Sequence, residues 1–265
     1  MRLFVSALQK LATRMATLLT FGLLAGLLVM IDLAVATTSG RGAQNGDNPL
    51  ALITFPGAYD LILSFLFGLG GLFAVIYGAA IAGSEWTWGT LKTAVVRGES
   101  RSRYLLATFA AIAVVLAVGL LVAFLIGVVA AALGATIAGI GITGIGDSAV
   151  LGALPEHFIR GWVAITSTAA LGFAVATLAR SQLAGIGVGI AFYFGETFAG
   201  IFLPDVVRYM PFHLSSAAVG AGRGFGGPPD PAALSIGTAL VLVTVWLVGS
   251  LVVAAGFSER AEITG

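Results

Sequence analysis

Apolar residues run together in six long blocks along this chain, broken by short clusters of glycine, proline and charge. The blocks lie at about 16–37, 59–83, 104–130, 158–179, 183–203 and 233–257. A helix needs about 20 mostly apolar residues to cross a bilayer core, so each block is a candidate span. All eight prolines (Pro49, Pro56, Pro155, Pro204, Pro211, Pro228, Pro229 and Pro231) fall between blocks. That supports the division, because proline breaks helix interiors. The first fifteen residues, "MRLFVSALQKLATRM", follow a different pattern. Arg2, Ser6, Gln9, Lys10 and Thr13 share one side, and Leu3, Phe4, Leu8, Leu11 and Met15 share the other. Helical spacing of this kind predicts an amphipathic helix lying in the membrane interface; the alternative is a polar extension of the first span.

Composition points the same way. The chain is 58% hydrophobic and 9% charged, whereas a soluble domain is about 45–50% apolar and about 25% charged. So few charges cannot cover a soluble surface. The expected fold is therefore an all-α polytopic membrane protein, a single transmembrane domain over residues 1–265. The basic start, the apolar run and Ala34-Val35-Ala36 imitate a signal peptide, but the run exceeds the usual core of about 7–15 residues and carries Asp32, so a retained span is expected.

Lys and Arg positions set the orientation. One set of loops holds nine (Arg2, Lys10, Arg14, Lys92, Arg97, Arg101, Arg103, Arg180, Arg260) and the other holds four (Arg41, Arg160, Arg208, Arg223). This predicts an inner-membrane protein with both termini and the 84–103 loop in the cytoplasm. The charges sit at membrane edges rather than in a basic patch, so no nucleic-acid partner is expected. Outside, residues 131–157 are glycine-rich yet apolar; they form either a long flexible end of the third span or a segment dipping back into the membrane edge. Residues 204–232 read as a short surface helix followed by a disordered Gly/Pro turn.

The chain has no cysteine, and neither Lys10 nor Lys92 follows a G-x-x-x-x-G run, so no P-loop is present. His157 and His213 fall in outside loops without metal-ligand spacing, and no metal site or catalytic residue is expected. Three acids lie in or near spans: Asp32, Asp60 and Glu196. Asp32 and Asp60 sit near outer ends and are expected to reach water. Glu196, inside "AFYFGETFAGIF", must find a partner, a polar cavity or a proton, because a charge at mid-membrane costs about 2.5–3.5 kcal/mol on insertion scales. It either lines a substrate path or bonds a neighbouring helix. Gly22 and Gly26 in the first span, with Gly185, Gly187 and Gly189 in the fifth, make these spans the candidate dimer seam.

The remaining charge concentrates in "GSEWTWGTLKTAVVRGESRSR", residues 83–103. Gly83-Ser84-Glu85 reads as a helix start, followed by a short helix and a cluster of Arg97, Arg101 and Arg103. These residues either offer a soluble partner a grip or anchor two spans to anionic headgroups. A glutamate, then "GTL", then an arginine-rich segment after the second of six spans resembles the permease subunit of type-2 ATP-binding-cassette exporters. Glu85, Gly89, Thr90, Leu91 and Arg101 carry the resemblance, while Gly98 and Thr108 stand where that family often has proline and lysine. The resemblance implies a pair of six-span subunits over two separate P-loop ATPase subunits, with no cofactor on this chain and ATP and Mg on the partner. The ATPases would dock on the 84–103 loop and the N-terminal helix, with Glu85, Gly89, Thr90, Arg97, Arg101 and Arg103 transmitting closure, and Glu85 pairing with a nearby arginine. A proton-coupled secondary transporter using Glu196 and Asp32 is the alternative, and a non-transporting membrane anchor the third.

Overall fold

A computed structural model describes residues 2–38, 49–96, 98–220 and 234–260. Among them the fold is helical, without a strand: α1 (Arg2–Ala12), α2 (Met15–Thr38), α3 (Gly57–Thr87), α4 (Thr90–Val96), α5 (Arg101–Ile137), α6 (Ser148–Ala179), α7 (Gln182–Phe202), α8 (Pro204–Val207), α9 (Pro211–Ala218) and α10 (Ile236–Arg260). Six of these, α2, α3, α5, α6, α7 and α10, are long and apolar enough to cross a membrane.

The two most enclosed helices, α3 and α6, form the centre. Their backbones meet: a Cβ on Gly78 would overlap the Ala169 carbonyl, and one on Gly172 would overlap the Val75 carbonyl. Without aqueous driving force between helices, close approach of this kind supplies the packing energy. Around this pair, α5 packs on α2, α3 and α10, while α7 packs on α3 and α6. Faces of α2 and α7 remain uncovered, with Leu18, Leu23 and Met30 exposed on one and Leu183, Phe198 and Phe202 on the other.

Several elements differ from the sequence expectation. The helix α5 has 37 residues and α6 has 32, about 55 Å and 48 Å at 1.5 Å per residue, so both outrun a bilayer core. The 131–157 segment is ordered and largely helical, and its first part extends the third span. It continues α5 to Ile137, makes a 3₁₀ turn at Thr143–Gly146, and begins α6 at Ser148. Asp147 caps α6 by accepting from Ala149 and Val150 N–H. Tyr59 donates to the Ile145 carbonyl (2.7 Å), pinning that turn to α3. Pro155 and His157 consequently lie inside α6 rather than in a loop.

Residues 204–220 hold two short helices: α8 is largely exposed, as the expected surface helix would be, whereas α9 packs inward. Phe212, Leu214 and Ala218 of α9 are buried, packed on α6 and α10. The expected Gly/Pro turn lies outside the described residues. The N-terminal helix α1 forms as expected, its Leu11 fully buried against the bundle. The break between α1 and α2 is fastened by Thr17, which donates to the Leu11 carbonyl (2.6 Å) and accepts from Tyr77 of α3 (2.8 Å).

Candidate functional site: a buried glutamate at the basic end

At one end of the bundle α1, the C-terminus of α3, α4, the start of α5, the α6–α7 turn and the C-terminus of α10 converge. We call this the basic end. Here Gly83-Ser84-Glu85 does not start a helix: α3 runs on to Thr87, and Ser84 donates back to the Ile81 carbonyl. The stop comes at Gly89, whose φ of +66° is the left-handed conformation that closes the turn before α4. Gly98 repeats this between α4 and α5 at +86°.

Glu85 thus occupies the last turn of α3, where the helix dipole disfavours an anion. Its side chain is 1% exposed. Compensation comes from donors on three other elements. Lys10 of α1 donates to Oε1 at 2.6 Å, with Arg14 Nη1 at 4.0 Å from the same oxygen. Tyr104 of α5 donates to Oε2 at 2.6 Å, and Thr90, the first residue of α4, donates to the same Oε2. One carboxylate therefore ties α1, α4 and α5 to the end of α3.

Among the described residues the nearest cation to Glu85 is Lys10, from a helix 75 positions away, and Arg14 stands second. Arg101 instead donates to the Ser258 carbonyl of α10 (3.2 Å), and Arg103 pairs loosely with Glu99 (3.9 Å) on the surface. Arg97 lies outside the described residues. Two cation–aromatic contacts complete this end: Arg14 lies over Trp88 (4.7 Å), and Arg180 lies over Trp86 (5.4 Å) and Phe257 (5.6 Å). In α4, Leu91 is buried against the frame while Val96 at its end is 87% exposed; Trp88, just before the helix, is also exposed. Of the residues expected to couple, Glu85, Thr90 and Gly89 come together. Sequence reasoning missed Lys10, Arg14 and Tyr104; the i, i+4 spacing of Lys10 and Arg14 was the available signal.

The three intramembrane acids separate. Asp60 is exposed in the first turn of α3, as expected. Asp32 does not reach water: it is 0% exposed, and among the described residues neither carboxyl oxygen has a hydrogen-bond partner. Glu196 is 5% exposed and does find a partner, the N-terminus of α9. Pro211 opens that helix, and the next two backbone N–H groups, of Phe212 (3.1 Å) and His213 (3.0 Å), donate to Glu196 Oε2. His213 Nδ1 lies 3.2 Å from the same oxygen. This places the carboxyl at the N-terminus of α9 and joins α7 to α9.

Among the described residues a helical frame without strands, with six helices of membrane-spanning length and apolarity, defines a multi-pass membrane protein. Residues 45–255 match the sequence profile of the family described as "Protein of unknown function (DUF2705)", and the chain belongs to that family. No curated protein matches it.

Proposed function

We propose that the chain is the permease subunit of an ATP-binding-cassette exporter, paired with a second permease copy and driven by two separate P-loop ATPase subunits. The reading is carried by Glu85, a buried carboxylate that fastens α1, α3, α4 and α5 into one unit while the Val96 end of α4 stays exposed. A push on α4 or α1 is then passed directly to two membrane helices. Coupling residues are Glu85, Gly89 and Thr90, with Arg97, Arg101 and Arg103 along the same loop. Lys and Arg distribution puts the basic end, and both termini, on the cytoplasmic side of the inner membrane.

The uncovered faces of α2 and α7 flank α3 and suit a homodimer seam. Their exposed Leu23, Met30, Phe198 and Phe202 would cover one another across a pathway between two copies. ATP and Mg would be bound by the partner, with no cofactor on this chain. Purification in mild detergent followed by mass spectrometry tests the reading. A stoichiometric P-loop ATPase is expected, reduced when Glu85→Ala loosens the loop. A chain that purifies alone and still moves cargo with a proton gradient would overturn it.

A further inference from the structure

Asp32 has no part in the basic end. It lies on the buried stripe of α2 formed by Leu24, Leu28, Asp32 and Ala36, spaced four apart and turned toward α5. The facing positions on α5 are small. A Cβ on Gly127 would run into Leu28, and one on Gly134 would stand 3.3 Å from the Asp32 carbonyl oxygen and 3.5 Å from the Ala36 methyl. Asp32 is fully buried at this seam, and among the described residues neither carboxyl oxygen has a donor. No described cation forms an ion pair with it. A charge left so would be disfavoured, and buried carboxyls ordinarily carry a partner.

Beside this seam runs a groove of about 410 Å³. Its walls are apolar: Val29 and Leu33 from α2, with Val122, Ile126, Val129 and Leu133 among those from α5. Val29 and Leu33 flank Asp32 on its own helix, and Leu133 adjoins Gly134, so the groove runs beside Asp32, which is buried behind its lining. Leu33, Val129 and Leu133 are exposed, which opens the groove sideways to the bilayer. The volume falls within the range of small-ligand sites.

We propose that the α2–α5 seam binds a single-chain lipophilic amine. The alkyl chain lies in the groove, and a small shift of Leu33 lets the protonated amine donate to Asp32. Charge complementarity selects this occupant: an apolar groove accepts any alkyl chain, but an unpartnered carboxyl favours a cation with N–H donors over an alcohol or an anion. The site does not depend on how transport is driven.

The test is photolabelling of the full chain in phosphatidylcholine nanodiscs with a diazirine-bearing alkylamine. Unlabelled dodecylamine or dodecanol competes, and mass spectrometry locates the adducts. Adducts on the facing surfaces of α2 and α5 are expected, with dodecylamine competing at least about tenfold better than dodecanol, the ratio a charge-assisted hydrogen bond supplies. Asp32→Asn removes that preference while leaving the alkyl contribution. Val129→Trp, a substitution on the lipid-facing wall, weakens both competitors equally. Equal competition by amine and alcohol in the unaltered chain overturns the proposal, as does an amine preference that survives Asp32→Asn. Should Asp32→Asn fail to fold, the amine-to-alcohol ratio in the unaltered chain decides alone.

Discussion

Lys10→Met and Glu85→Gln, made singly and together, test whether one carboxylate pins the basic end. In the unaltered chain Glu85 Oε1 accepts from Lys10 and Oε2 accepts from Tyr104 and Thr90. Glutamine keeps the shape and one acceptor. Its carbonyl turns to Lys10, and its NH₂ turns to the two hydroxyls, which then accept. Three charge-assisted bonds become neutral or ion–dipole bonds, each loss being a fraction of the about 1.5–3 kcal/mol such a bond contributes. Lys10 is 34% exposed, so its share is discounted for solvent screening. The net expectation is about 2 kcal/mol for Glu85→Gln and about 1 kcal/mol for Lys10→Met. The two together should cost less than the sum, because Glu85→Gln has already weakened the bond that Lys10→Met removes. Thermal unfolding in detergent reads this as roughly 2–4 °C per kcal/mol. If Lys10→Met lowers Tm equally in both backgrounds, the pin does not exist.

Other substitutions check separate parts of the frame. Gly89→Ala should lower stability by about 1–2 kcal/mol through its left-handed φ alone, since a Cβ there meets open space, and Gly89→Asn should cost less; thermal unfolding distinguishes them. Gly78→Ala should reduce folded yield sharply by forcing α3 from the Ala169 carbonyl, whereas Gly22→Ala, with nothing within 4 Å, should be neutral; size-exclusion profiles compare the two. Glu196→Gln should cost about 1–2 kcal/mol by removing the anionic cap of α9, and His213→Ala should cost less because both backbone donors remain. Limited proteolysis at 204–220 would report the loosening, and equal effects of the two substitutions would refute the cap.

The six spans were legible because a bilayer demands a length of apolar chain that little else produces. Their ends were less so. The glycine-rich stretch from 131 and the proline at 155 fell outside the expected spans, yet α5 runs on through Gly134 and α6 through Pro155. Gly134 is tolerated because it packs against α2, and the Pro155 ring interrupts only the carbonyl of Leu151, a residue on an exposed stretch. Glu85 stood out by composition, but its helix did not: span and coupling segment share residues 84–87, and only the turn at Gly89 separates them. Its partner Lys10 could not be read locally, because an ion pair between helices 75 positions apart depends on how they pack. The same holds for Glu196, whose partner is backbone N–H freed by a helix start at Pro211. Asp32 was misjudged by position along α2. Distance from the helix end says nothing about which face meets α5.

The exporter reading is tested most directly at α4. The chain contains no cysteine, so Val96→Cys places a single reactive thiol on the exposed end of that helix. Derivatised with a short photocrosslinker in native membranes, it should yield one major protein adduct, a P-loop ATPase identified by mass spectrometry, lost in the Glu85→Ala background. An adduct confined to lipid, or to a protein without a nucleotide-binding motif, would contradict the account.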